Sequence, residues 1–405
     1  MESTTMRIDI HNYAHQVQGA IRRAKKDNKI SEKNREFILK FFDYLIADGI
    51  SKPRLAKYVD VIRYWAIWLN KDFDKVTKED IAKVVTKLQL NDGYSAWSKH
   101  SYKTMLRKFF KWIKKTEDYP EEVKWLKSRI SKHEQKLPGE GELLTEEDIQ
   151  KLISVADHPR DRALISMLWE AGCRIGELGS LRLNSLQVDK YGVVITVVGK
   201  TGSRKIRLVS STEALLTWLK IHPCRDNPNS PLWVNIGNTN HNQPMEYRCI
   251  TFVLKKYFQK AEIKKRCNPH LFRHSRATFL ANHLTEFQMN QYFGWVQGSD
   301  MPSTYVHMSG REVDQAILAL NGLSTNEQQK KESPLRPIPC PRCDTINTFG
   351  SSYCSKCACI LDIKKRMEME EQMHHEKEIG ELGNKLLNAL MNKPELIKSI
   401  LQQIQ

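Results

Sequence analysis

"YGVVITVVGKTGSRKIRLV", residues 191–209, is the stretch whose reading decides the fold. Apolar and polar residues alternate on both sides of "GKTGS", and the two glycines supply a turn, so the spacing predicts a β-hairpin or two antiparallel strands. Nearly everything around it has a helical period instead. Upstream, "HPRDRALISMLWEAGCRIGELGSLRLNSL" (158–186) predicts a helix over 160–171, a tight turn at Gly172 and Gly176, and a short helix near 175–181. Downstream, the pattern predicts helices at about 212–221, 246–262, 269–283, 286–293 and 311–320. Residues 143–323 therefore read as an α+β domain, helices around a small antiparallel sheet, in a chain that is mainly α.

The N-terminal third has little strand signal. Helical segments near 10–26, 31–48, 52–71, 77–90 and 95–115 are separated by turns such as "ADGIS" and "LNDGYS", and Thr77 with Asp80 has capping-box spacing. In the last of them Trp97, Met105, Leu106, Phe109, Phe110 and Trp112 alternate with Lys99, Lys103, Arg107, Lys108 and Lys111, a helix with a basic outer face. Residues 1–131 read as a helical domain, and the proline- and glycine-bearing "KHEQKLPGEGE" (132–142) as a linker, after which Thr145 and Asp148 open a new helix. "STNEQQKKESPLRPIP" (324–339) reads as a second linker. Residues 361–405 form a charged helical tail, with a break at Pro394 and an apolar stripe of Ile379, Leu382, Leu386, Leu387, Leu390 and Met391.

The formal charge of +17 is concentrated at one end, with +11 on residues 1–140, +5 on 141–330 and +1 on the rest. Such an excess fits a polyanionic partner, of which nucleic acid is the commonest. No run approaches the roughly 18 apolar residues of a membrane span, and the N-terminus lacks a secretory pattern, so a cytoplasmic, nucleoid-associated protein with no membrane partner is expected. Four of the nine cysteines, Cys340, Cys343, Cys354 and Cys357, form a C-x2-C-x10-C-x2-C array. Two such knuckles favour a tetrahedral structural zinc, so residues 340–360 read as a zinc ribbon, with Cys359 as a spare thiol. Cys173, Cys224, Cys249 and Cys267 read as ordinary core or free thiols.

"NPHLFRHSRATFL" (268–280) opens with Asn268 as N-cap and Pro269 at the first helical position, then crowds His270, Arg273, His274 and Arg276 into the first turns. A helix N-terminus is already partly positive, so cations gathered there call for an anion. Two more basic groups stand where a side chain can be held rigidly. Arg174 follows a helix end in "EAGCRIGE", with Glu177 placed to orient it, and Lys200 occupies the hairpin turn, with Lys205 as its rival.

Order and spacing together resemble the tyrosine recombinase (phage integrase) family, most of all its archaeal or archaeal-virus members. The resemblance rests on "RIGEL" at Arg174, "GKTGSRK" at Lys200, "HLFR" at His270 and Arg273, "FGW" at Trp295 and "STYVHMSG" at Tyr305. Trp295 and Tyr305 are ten apart, one more than the usual nine, and Tyr292 nearby reads as core. The resemblance implies a core-binding N-terminal domain and a catalytic domain on double-stranded DNA, acting as a homotetramer on two duplexes. It implies Tyr305 as the nucleophile, Arg174, Arg273, His270 and Trp295 as donors to the scissile phosphate, Lys200 as general acid, and His270 assisting deprotonation of the tyrosine. No metal or other cofactor is expected in the chemistry. Two rivals share many of these residues: a type IB-like DNA topoisomerase, and a zinc-ribbon DNA-binding regulator without activity.

Overall fold

In the computed structural model the described residues are 8–127, 129–130, 138–238, 240–308, 321, 333, 335–347, 349–362, 367, 371–372 and 375–385. The chain divides into two compact units, Met1–Gly141 with Glu246–Arg248, and Glu142–Met245 with Cys249–Gln405.

The first unit is helical, with α1 (Tyr13–Lys26), α2 (Glu32–Ala47), α3 (Lys52–Leu69), α4 (Lys78–Leu90), α5 (Ala96–Ile113) and the single turn α6 (Glu121–Lys124). Side-chain oxygens start three of them: Ser31 and Ser95 accept from Asn34 and Ser98 N–H, and Thr77 and Asp80 complete the reciprocal box. The core is aromatic, with Phe109 edge-on to Phe41 and Phe73 at 5.1 and 4.6 Å. Helix α5 buries Met105, Leu106, Phe109 and Phe110 there. Trp97, which the apolar pattern places with them, is 56% exposed. It sits in the first turn of α5, where its one ring neighbour among the described residues is His100.

The second unit comprises α7 (Glu146–Ser154), α8 (Pro159–Ala171), α9 (Ile175–Leu178), β1 (Leu186–Asp189), β2 (Gly192–Gly199), β3 (Gly202–Leu208), α10 (Thr212–Lys220), α11 (Tyr247–Lys260) from Cys249 onward, α12 (Pro269–Ala281), α13 (Glu286–Phe293) and α14 (Met301–Met308). The expected pair of strands is a three-stranded antiparallel sheet in the order β1-β2-β3. Strand β1 is only four residues long and largely exposed, so it leaves no alternation to read. Val193, Ile195, Val197, Ile206 and Leu208 turn inward and are buried. Gly199 pairs with Gly202, which makes Lys200 and Thr201 the two residues of the hairpin turn.

Beyond these elements, β4 (Ile338–Pro339) pairs antiparallel with β5 (Ile346–Asn347) to start the cysteine ribbon. Ser351 Oγ donates to Glu213 of α10 at 2.6 Å, and Ser333 Oγ to Glu146 of α7 at 2.6 Å. These two bonds fix the ribbon region against α7 and α10. Residues 375–385 are helical, with Ile379 and Leu382 of the expected stripe exposed. The helix expected at 311–320, most of both linkers, and Leu386, Leu387, Leu390, Met391 and Pro394 lie outside the described residues. No helix among the described residues is long and apolar enough to cross a membrane.

Candidate active site

Helix α8 ends at Gly172, whose φ of +54° is left-handed and whose missing Cβ leaves room for Phe293; an added carbon would lie 2.8 Å from that ring. The reversal sets Arg174 at the N-cap of α9. Glu177 accepts its backbone N–H at 3.1 Å and its Nη1 at 3.0 Å. Gly176, expected to share the turn, lies inside α9 instead.

Glu177 is almost fully buried and also accepts Nη2 of Arg204 at 2.8 Å. Burial works against its charge, but the bonds to Arg204 and then Arg174 prevail, and the carboxyl stays below its ordinary range. Arg204 Nε donates to Tyr292 O at 2.8 Å. Sequence reasoning missed Arg204, although the period of two places it on the same face of β3 as the buried Ile206 and Leu208, and an inward cation on a strand needs a partner. Lys205 projects to the opposite, exposed face.

Lys200 is exposed in its turn, and both neighbours tie that turn to the site. An added Cβ on Gly199 would collide with Glu177 Oε1, and Thr201 Oγ1 donates to Gly294 O at 3.2 Å. Gly294, at φ +60°, lies against Nη1 of Arg204.

Asn268 caps α12 through a 2.8 Å bond from Leu271 N–H, and Pro269 takes the first helical position as expected. Arg273 is buried. It donates from Nη1 to Gly172 O at 3.1 Å and from Nη2 to Phe293 O at 2.8 Å, and its guanidinium lies 5.1 Å from the Phe293 ring and 5.5 Å from Trp295. Burial, followed by repulsion from Arg174, lowers it to about 10. His270 is exposed one turn earlier.

Trp295 is buried, stacked on Phe293 at 4.8 Å and parallel within 1° to Tyr305 at 5.4 Å. The turn between Trp295 and α14 includes Gly298 at φ +76°. Tyr305 is 1% exposed and its hydroxyl meets His274 Nδ1 at 2.6 Å. Burial raises the phenol to about 12, with Arg273 pulling the other way. Burial, then His270 and Arg273, lower His274 to about 4, so its imidazole is neutral, and in the tautomer that carries its proton on Nε2 the Nδ1 accepts from the Tyr305 hydroxyl. The sequence signal for His274 is its place four residues after His270, on the same helix face. Tyr292 instead gives its hydroxyl to Glu170 O at 2.6 Å.

Arg174, Arg273, Trp295 and Tyr305 are thus brought together, with the Lys200 turn held at Glu177 and His270 at the exposed start of α12. Three guanidiniums, Arg174, Arg204 and Arg273, face the single carboxylate of Glu177, which leaves net positive charge. Residues 142–312 match the phage integrase family. That stretch holds every residue of the candidate site.

The integrase domain has curated relatives. The tyrosine recombinase XerA of Pyrococcus horikoshii is 28% identical over 250 residues, 61% of this chain and 80% of the relative. XerA of Pyrococcus furiosus is 28% identical over 291 residues, 71% of this chain and 94% of the relative. Among solved structures, the XerH site-specific recombinase bound to palindromic difH substrate, a post-cleavage complex, aligns with a TM-score of 0.54 at 15% identity, covering 78% of this chain and 98% of that one. A lambda integrase tetramer bound to a Holliday junction aligns with a TM-score of 0.54 at 16% identity, covering 69% and 78%. At that identity the likeness is one of fold.

Apart from the integrase domain, Cys340, Cys343, Cys354 and Cys357 place their sulfurs within 4.8 Å of one another. The Cys340–Cys357 and Cys343–Cys354 separations are 3.5 and 3.6 Å, against about 3.8 Å for sulfurs of a tetrahedral thiolate site with 2.3 Å bonds. Arg342 and Lys356 N–H groups point at Cys340 and Cys354 sulfurs, so the donor set fits a tetrahedral metal ion. Cys359, the spare, has its thiol on Ile360 O. Cys173 is buried, its thiol pushed up to about 12 by burial, and is inert as expected of a core thiol.

Proposed function

We propose that the protein is a site-specific DNA recombinase or integrase that cleaves and rejoins strands through a covalent 3′-phosphotyrosine intermediate. The observation that carries this reading is the gathering of Arg174, Arg204 and Arg273 about the Glu177 carboxylate, the first two bonded to it, beside the buried Tyr305. Uncompensated cations in a half-closed site suit a phosphodiester, and a phosphoryl transition state gains most from donors already in place. Arg174 and Arg273 offer planar forks to the nonbridging oxygens, with His270 and the Trp295 indole N–H as single donors. Tyr305 attacks the phosphorus, and Lys200, exposed in the hairpin turn, delivers a proton to the departing 5′-oxygen. The phosphotyrosine keeps the energy of the broken ester, so a 5′-hydroxyl from a second duplex reverses the step without ATP.

Backbone contacts from the basic N-terminal unit account for binding to double-stranded DNA, and four protomers on two duplexes would complete the exchange. The four cysteines hold a structural zinc, which folds the ribbon and takes no part in the chemistry.

A nicked suicide duplex that traps the cleaved strand tests the reading. Wild type should form a covalent adduct and Tyr305→Phe none. Binding without an adduct would mark a regulator, and relaxation of plasmid with no joining of two duplexes a topoisomerase.

A further inference from the structure

Among the described residues, the Tyr305 hydroxyl has one hydrogen-bond partner, Nδ1 of His274 at 2.6 Å. The tyrosine is 1% exposed, so bulk water does not offer a second acceptor. The two rings lie 5.9 Å apart at 35°, on α12 and α14, which pack against each other. The charged and titratable groups acting on the imidazole are His270 and Arg273 of its own helix, with Tyr305 facing it from α14. None is a carboxylate, and the imidazole is neutral beside them.

We propose that His274 is a catalytic residue, the acceptor of the Tyr305 proton during strand cleavage. The inference rests on Tyr305 as nucleophile, as argued above. The phenolic O–H bond breaks and an N–H bond forms at Nδ1 while the phenolic oxygen bonds to phosphorus. The P–O5′ bond then breaks and the 5′-oxygen takes its proton from Lys200. Rejoining runs backwards: the incoming 5′-hydroxyl returns a proton to Lys200, and His274 returns one to the leaving phenol. Before DNA binds, the phenol is a far weaker acid than the imidazolium, so transfer does not run ahead of attack. The scissile phosphate brings an anion to this face of α12, which stabilises the imidazolium as it forms. The acceptor is therefore one turn further along α12 than the exposed His270.

The test uses the full chain and nicked suicide duplexes with a randomised core, from which wild type selects its own substrate by covalent capture. His274→Asn places an amide oxygen where Nδ1 stood, keeping an acceptor for the tyrosine that cannot take its proton. His274→Ala removes both. Adduct formation by His274→Asn should fall about a hundredfold at pH 7, with duplex binding unchanged, and its rate should rise about tenfold per pH unit where the wild-type rate is flat. A duplex with a 5′-bridging sulfur, whose leaving group needs no proton, should rescue Lys200→Ala but not His274→Asn. The proposal is overturned if His274→Asn cleaves within threefold of wild type with the same pH profile, which would mark a positioning role, or if the sulfur substrate rescues it. It is also overturned if His274→Ala is no slower than wild type. Failure of the parent reading looks different: wild type, or Tyr305→Phe alongside it, would betray it by giving no adduct or an equal one.

Discussion

Arg174 and Arg204 share one carboxylate: Glu177 takes Nη1 of the first at 3.0 Å and Nη2 of the second at 2.8 Å. Arg204 also grips Tyr292 O, so a single guanidinium on β3 links the setting of Arg174 to the end of α13, three residues before Trp295. Neither end can shift without disturbing the other.

Glu177→Gln keeps the shape of this junction and removes its charge. The expected loss is about 3 kcal/mol of stability, as for a buried pair broken on one side, and adduct formation falls at least about tenfold. Because the Glu177 carboxyl is depressed in the folded state, its contribution is full above the unfolded carboxylate value and fades as pH falls through the lower folded one. Urea unfolding at a series of acidic pH values checks the sign. Wild type should lose stability over that window by more than Glu177→Gln does, and parallel curves would mean that the carboxylate is not charged as described.

Two left-handed glycines separate crowding from backbone strain. At Gly172 an alanine meets both φ +54° and the Phe293 ring at 2.8 Å, whereas at Gly298, φ +76°, the space around an added Cβ is open. Gly298→Ala should cost about 1 kcal/mol and Gly172→Ala about 3 kcal/mol or more. Thermal melts of the two variants give the ordering, and equal shifts would contradict the packing of Phe293 beneath the Arg174 turn.

The two neighbouring tyrosines are told apart by removing one oxygen from each. Tyr292→Phe loses a bond to Glu170 O, about 1 kcal/mol, and should form adduct within about threefold of wild type, while Tyr305→Phe forms none. Loss of adduct in Tyr292→Phe with retained stability would reverse the assignment.

Removing the proposed zinc separates folding from chemistry. A strong chelator, or Cys343→Ser, should release zinc and expose the segment around Ser351 to protease as the bond to Glu213 is lost. Strand cleavage should stay within about threefold, and a collapse of cleavage restored by magnesium alone would place a metal in the reaction.

Much of the site is legible from local signals. Asn268, Pro269 and the left-handed Gly172 act within a turn or two of chain, and Arg174 with Glu177 is a contact across three residues, so sequence spacing suffices for them. Arg204 and His274 escaped because their partners lie 27 and 31 positions away, and nothing local says which distant carboxylate or phenol each will meet. Strand β1 escaped for a different reason: four largely exposed residues have no face to bury. Trp97 shows the converse error, where an apolar residue at the right period sits in a first turn that ends before the core begins.

Ser351 is moored to Glu213 across 138 positions of chain. The reach of whatever follows the ribbon is therefore counted from that anchorage rather than from Tyr305.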